Sequence, residues 1–255
     1  MNLVYELNPP RIVREGVFDV GRLRNDLQVM VDRAASIASH VDGIHLTDSV
    51  LGIPRVSSIT AAGLVKPECR SARLSVSLRS RDRNIASMSQ AVSDAILLGV
   101  DNALILMGDA QKNSSVGCAL RPSDAVRMLR SAGYQAQIKL DLSFPAKIYD
   151  KNSPSISAKL EAQPHSIVTQ SIASLSDLGE IVDLAKNHAI KVVACVMVPS
   201  EKNKRSASFV GVDWSSYEKD PVDFVKEAAK IADRVLLTSP NSFSSGMDLL
   251  KQLGR

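Results

Sequence analysis

Short apolar runs alternate with longer amphipathic stretches along the whole chain. The apolar runs are candidate strands: Leu3–Leu7, Gly43–Thr47, Arg73–Leu78, Asn102–Met107, Gln135–Asp141, Ser166–Thr169, Lys191–Val198 and Arg234–Thr238. They draw on Val, Ile, Leu and Ala, which suits parallel strands buried on both faces. Between and after them, apolar positions recur at helical spacing. That spacing predicts helices over Asp19–His40, Ser57–Val65, Ile85–Leu98, Pro122–Ala132, Ile156–Ala162, Ser174–His188, Pro221–Ala232 and Gly246–Leu253. Strict strand–helix alternation implies a parallel sheet. Eight such repeats in 255 residues fit an α/β fold of the (β/α)8 TIM-barrel kind, one domain over residues 1–255. An open dinucleotide-binding sheet would want a GxGxxG turn after an early strand, and the chain has none.

Helix starts support this register. Pro122 sits where an N1 proline belongs, Ser174-Leu175-Ser176-Asp177 is a capping sequence, and Asp220-Pro221 is a cap followed by an N1 proline. No Gly-, Pro- or Ser-rich linker divides the chain. The longest stretch predicted to be irregular is Ser200–Lys219, which holds the single Trp, Trp214, and the basic run Lys202–Arg205. Loops of that length are lids, partner surfaces or mobile segments. The basic run by itself reads as a solvated loop.

Composition narrows the picture modestly. The chain is 45% hydrophobic but only 4% aromatic, so aliphatic side chains must fill the core. A formal charge of +4 is compatible with an anionic ligand, but no Lys/Arg run stands beside stacking aromatics, so nucleic acid is not an expected partner. Cys69, Cys118 and Cys195 are odd in number and lack metal or disulfide spacing. His40, His45, His165 and His188 show no metal spacing either, and no metal is expected. Asn113-Ser114-Ser115 is a glycosylation sequon, but no signal pattern and no membrane-length apolar run accompany it. The expectation is a soluble cytoplasmic protein.

The chemistry is concentrated at strand ends. Glu6-Leu7-Asn8-Pro9-Pro10-Arg11, His45-Leu46-Thr47-Asp48-Ser49, Met107-Gly108-Asp109 and Val168-Thr169-Gln170 each close a predicted strand. In a parallel barrel these ends meet at one mouth, bringing two carboxylates, a hydroxyl and an amide to one pocket. Glu6, flanked by apolar residues and held by two prolines, is a candidate general acid, since desolvation raises a carboxyl pKa. The competing reading pairs it with Arg11 or another barrel-mouth base as a structural carboxylate. Gly108 is expected to let a ligand approach the backbone, with Asp109 facing the mouth. Arg79-Ser80-Arg81-Asp82-Arg83-Asn84 suits either an oxyanion site or a self-paired helix cap. Thr238–Gly246, after the last strand, offers backbone N–H groups of the sort that bind phosphate in barrels.

In these residues the chain resembles the methylenetetrahydrofolate reductase family of flavin-dependent barrels. The similarity rests on Glu6 with Pro9-Pro10, on Val41–Asp48, on Pro54-Arg55-Val56-Ser57-Ser58, on Arg81-Asp82-Arg83-Asn84, on Leu98–Asp109 and on Thr169-Gln170. It covers most of the chain and weakens after about Ser171. The resemblance implies reduction of 5,10-methylenetetrahydrofolate, or a related tetrahydropterin, to the 5-methyl form by hydride from a reduced flavin. By it, Glu6 would be the general acid, Asp109 would contact the pterin and tune the flavin, and Gln170 would bind folate. Thr47, Asp48, Ser77, Gly108 and Lys159 would fall in the envelope of an FAD reduced by NADH or NADPH. The chain departs from the pattern at Ser77, where the family has a flavin-contacting His, at Met107, where bacterial members often have Arg, at Ser143 after the fifth strand, and at Ser171-Ile172-Ala173. All four touch flavin or nicotinamide contacts. Two alternatives therefore stand beside the reductase: a flavin-poor homologue served by an electron-delivering partner or working as a homo-oligomer, and a folate- or nucleotide-binding barrel without turnover.

Overall fold

The computed structural model describes residues 1–109 and 120–255. The sequon at Asn113 and Cys118 lie outside the described residues. Among the described residues, eight strands run in chain order: β1 (Leu3–Leu7), β2 (Gly43–Leu46), β3 (Arg73–Arg79), β4 (Asn102–Leu106), β5 (Lys139–Phe144), β6 (Ser166–Ser171), β7 (Lys191–Met197) and β8 (Arg234–Thr238). Each pairs in parallel with the next, and β8 closes on β1 with Leu3 beside Val235, so the sheet is a closed eight-stranded barrel. Around it lie α1 (Val20–Ile37), α2 (Ser58–Val65), α3 (Ile85–Leu97), α4 (Pro122–Ser131), α5 (Pro154–Glu161), α6 (Leu175–Lys186), α7 (Lys204–Val210), α8 (Pro221–Ile231) and α9 (Phe243–Gln252). No helix among the described residues is long and apolar enough to cross a membrane.

The period-2 alternation of the strands divides the core in two. Outward residues such as Leu3, Tyr5, Ile44, Leu74, Ile105, Leu142, Ile167, Val196 and Leu237 pack against the helices in one large cluster. Burial of each such side chain contributes ~1.5–3 kcal/mol. Inward residues form a second, smaller cluster: Val4, Leu104, Val168, Val193, Cys195 and Leu236, with Leu106 against it. The inner layer is otherwise polar. His45, Ser75, Asp141 and Arg234 share a void of about 20 Å³ with five of those apolar residues at the barrel's heart.

One device recurs at the N-terminal ends of the strands. Asp42, Asp101 and Asp233 each stand immediately before a strand, and each carboxylate accepts the backbone N–H of a residue on the preceding strand: Leu3, Leu74 and Val192, at 2.9 Å in every case. The same aspartates donate their own N–H to the carbonyls of those same residues. Each Asp thereby closes a ring with the neighbouring strand and fixes its register.

The helix starts obey capping chemistry. Side chains of Asp19, Ser57, Asn84, Ser174, Asp220 and Ser242 accept from backbone N–H groups in the first turn of their helices, and Pro122, Pro154 and Pro221 occupy first-turn positions. Three expectations shift. Gln135 does not begin β5: Gly133, at φ 88°, turns the chain into a 3₁₀ turn over Tyr134–Ala136, and the strand runs later, to Phe144. Ser200–Lys219 is not structureless, because it carries α7. Its Trp214 is buried, Tyr217 stacks on Phe224, and the Tyr217 hydroxyl donates to the Met197 carbonyl. The last helix begins at Phe243 rather than Gly246, because Ser242 caps it.

Buried Asp141 accepts from Asn102 Nδ2 at 2.8 Å and from Ser166 Oγ at 2.6 Å. Burial pushes its carboxyl up from an ordinary 3.8 to about 6, against the opposing pull of those hydrogen bonds and of Arg234. A carboxyl raised in the folded state contributes stability that is present below its unfolded value and lost as pH rises through the folded one. Urea denaturation of wild type and Asp141→Asn across pH 4 to 7 is therefore expected to diverge, with wild type losing up to ~3 kcal/mol relative to the variant as pH rises. Parallel curves would show that Asp141 titrates as an ordinary surface carboxyl.

Candidate functional site

The C-terminal ends of the strands surround a cavity of about 300 Å³. Glu6, Thr47, Asp48, Ser77, Gly108, Asp109 and Gln170 all line it, although they come from five strand ends spread over the first two thirds of the chain. Lys159 does not. Its ammonium donates to the Ser143 carbonyl at 2.8 Å from α5, beside the Phe144 ring and outside the cavity. Ser143 lines the cavity and Met107 does not.

Glu6 projects inward from β1, level with His45 on β2. Thr238 on β8 donates its hydroxyl to Glu6 Oε1 at 2.6 Å. Burial pushes the carboxyl above its ordinary 4.5, and neither that hydrogen bond nor the charge of Arg55 reverses the shift. A shift in that direction favours the protonated form, which is what a general acid needs. Glu6 is not paired with Arg11.

Asp109 has a structural task as well as a place at the mouth. Its carboxylate accepts the N–H of Leu51 at 3.0 Å. The loop it holds is strained: Ser49 and Leu51 lie in the left-handed region, at φ 46° and 60°. Arg79 secures the same loop. Only 1% of its side chain is exposed, and it donates to the carbonyls of Ser49 and Asp109 while pairing with Asp82 at 2.7 Å. Arg81 donates to the Gly108 carbonyl, and Arg83 binds Asp48 at 2.9 Å. The run from Arg79 to Asn84 is thus self-paired, with Asn84 capping α3, and is not an oxyanion site. Gly108 also serves Arg79. A Cβ there would stand 2.7 Å from Arg79 Nε, so the glycine makes room for that side chain and not for a ligand. Asp48 belongs to the same clasp, since it also accepts the Arg79 backbone N–H.

Gln170 is aimed by a defect in the sheet. The β6–β7 register shifts between Val168 and Ser171, leaving Thr169 and Gln170 out of the ladder. Thr169 Oγ1 takes up the Cys195 N–H, and the Gln170 side chain stays exposed at the cavity. The loop after β8 is internally satisfied as well. Asn203 donates to Ser239 and accepts from the Asn241 N–H, while Ser242 caps α9.

His45 is the residue that sequence reasoning underrated. Both ring nitrogens are engaged, with Ser75 and Ser77 hydroxyls at 2.8 Å each, and burial pushes the imidazole down to about 4. It stays neutral at ordinary pH and forms part of the cavity floor. Its only signal was a lone His inside an apolar strand. Cys195 also lines the cavity, but burial pushes its thiol up to about 12, so it is inert as a nucleophile. Among the described residues no three His, Cys, Asp or Glu side chains converge as a metal site.

No protein-family model matches the chain, and no curated protein matches it in sequence. Solved structures do share its fold. The tetrameric deoxyribose phosphate aldolase from Aeropyrum pernix superposes with a TM-score of 0.57 at 11% identity, over 99% of this chain and 89% of that one. The Bacillus cereus spore cortex-lytic enzyme SleL gives 0.56 at 12% identity, over 98% and 74%. At such identity the likeness establishes the barrel and nothing of the chemistry.

The clasp around Arg79 makes a direct prediction. Arg79→Met removes a buried charge that satisfies two carbonyls and pairs with Asp82, and it is expected to cost at least ~2 kcal/mol in denaturant unfolding. A cost below ~0.5 kcal/mol would show that the mouth does not depend on it.

Proposed function

We propose that this barrel is an enzyme that reduces the methylene bridge of a methylenetetrahydropterin, of the 5,10-methylenetetrahydrofolate kind, to the 5-methyl form, with Glu6 as the general acid. The observation that carries this reading is the buried Glu6 carboxyl, raised by desolvation and held by Thr238 at the barrel mouth. Exposed Gln170 and Asp109, which line the same cavity, are suited to the donor and acceptor edge of a pterin. The proton from Glu6 goes to the ring nitrogen whose C–N bond breaks as the five-membered ring opens. Hydride then adds to the methylene carbon, and the donor, NADH or NADPH, leaves oxidised.

The FAD that the resemblance implies does not fit the residues present. Thr47 donates to Asn8, Asp48 binds Arg79 and Arg83, Ser77 bonds His45, and Lys159 is tied to Ser143 away from the cavity. The space at Gly108 belongs to Arg79. The groups that would embrace a flavin are bonded to the protein itself. A cavity of about 300 Å³ is at the low end for ligand sites. The proposal therefore assigns hydride delivery to a soluble nicotinamide donor without resident flavin.

Purified protein incubated with methylenetetrahydrofolate and NADH or NADPH, with no flavin added, is expected to form the 5-methyl product. Glu6→Gln is expected to lower turnover by ~10²-fold or more while unfolding like wild type. Because the acid must be protonated, kcat/KM is expected to fall as pH rises through the raised Glu6 pKa. No product with either donor, with or without FAD, would sink the reductase reading. Product that forms only with FAD would restore the flavin.

A further inference from the structure

A second cleft, of about 740 Å³, opens between α1, the loop after β1 and the loop after β8. Five arginines line it: Arg11, Arg14, Arg22, Arg33 and Arg55. Two are neutralised, Arg14 by Asp26 at 3.0 Å and Arg22 by Glu15 at 3.9 Å. Arg11, Arg33 and Arg55 have no carboxylate partner among the described residues. The remaining carboxyl on the cleft is Glu6, whose pKa burial raises. Three guanidiniums without an ion-pair partner among the described residues are thus concentrated around one concavity. Arg55 is pushed down to about 10 by burial and then by the charges of Arg11 and Arg14, while Glu6 pulls it back up.

The cleft is built rather than incidental. An antiparallel backbone bridge pairs Arg11 with Arg55, holding the two side chains in one neighbourhood. Arg55 Nη1 is anchored on the Pro9 carbonyl at 2.6 Å, yet its buried Nε has no partner. Arg33 lies over the Phe243 ring at 5.2 Å, and Phe243 meets Tyr5 edge to face. Tyr5 is 1% exposed and lines the cleft, with its hydroxyl packed against Gly246 of α9. A buried guanidinium N–H left without an acceptor is a donor suited to an oxyanion. Glu6, Asn8, Arg11, Arg55, Pro240 and Asn241 line this cleft and the barrel-mouth cavity alike, so the two are continuous.

We infer that this cleft is an anion site that holds the phosphate- or carboxylate-bearing end of a ligand whose other end lies against Glu6. Placing that other end rests on the reading of the barrel mouth given above, but the anion site does not. Arg11 and Arg33 supply exposed, long-reach charge, and Arg55 supplies the fixed donor at the inner end. A ligand with at least two oxyanion groups is required to engage both ends of the arrangement.

Isothermal titration of the full chain at low ionic strength with inorganic pyrophosphate, and separately with citrate, tests this without any turnover, so its failure is separate from failure of the reductase reading. At least one anion is expected to bind, more weakly as salt is added. Arg11→Gln and Arg33→Gln, both at exposed side chains, are each expected to weaken it about tenfold. Binding of pyrophosphate alone would identify a phosphate-bearing ligand, and binding of citrate alone an oligocarboxylate. Binding of neither, or undiminished binding by the double variant, would overturn the site.

Discussion

Arg79 brings a positive charge to a place where 1% of its side chain reaches solvent, and the loops after β2 and β4 close around it. A buried charge is tolerated only when its donors are satisfied. Here Ser49, Asp109 and Asp82 satisfy its two terminal nitrogens, and Nε alone is left without a partner. The requirement propagates outward. Gly108 must lack a side chain so that Arg79 can pass, and the loop containing Ser49 and Leu51 can hold its left-handed residues because Arg79 and Asp109 pin it. The position of Asp109 at the cavity is a consequence of this clasp. So is the fixed distance between the β2 and β4 corners of the mouth.

The two ends of the barrel solve different problems. At the N-terminal end, Asp42, Asp101 and Asp233 spend their carboxylates on strand N–H groups, and nothing about them faces a cavity. At the C-terminal end, Glu6 takes one short bond from Thr238 and otherwise meets the cavity. Desolvation without full compensation is destabilising in folding terms, and it is also what raises a carboxyl pKa. The barrel tolerates this because register and closure are secured elsewhere, at the opposite end and in the apolar layer outside the sheet.

Much of this was legible in the sequence, for a topological reason. Once strands and helices alternate in a parallel barrel, every strand's C-terminal end must reach the same mouth, so Glu6, Thr47, Asp109 and Gln170 come together without any contact being read. Proline and capping chemistry placed most helix starts. What escaped depends on side-chain trajectories that carry no period. Arg79 to Asn84 offered an oxyanion site and a self-paired cap on equal terms, and only the path of Arg79 under Gly108 decides between them. Lys159 falls at the right place in the chain but points to the Ser143 carbonyl. The aspartates before β2, β4 and β8 form a repeated apolar-Asp-strand signal at Val41-Asp42, Val100-Asp101 and Ala232-Asp233 that was there to be read.

The inner layer of the barrel explains why the mouth suits one kind of ligand better than another. His45, bonded on both nitrogens by Ser75 and Ser77, fills space below the cavity with a neutral, rigid ring. The hydroxyl at position 77, where the resemblance would place a flavin-contacting imidazole, therefore turns inward to a histidine from the neighbouring strand. Polar capacity at Ser77 is absorbed by the protein itself. Room for an extended ligand lies sideways instead, past Asn8 and Arg55 into the arginine-lined cleft. A compact heterocycle at Glu6 with an anionic extension along that path matches the placement of unpaired charge, and it does so with residues that the fold already holds in position.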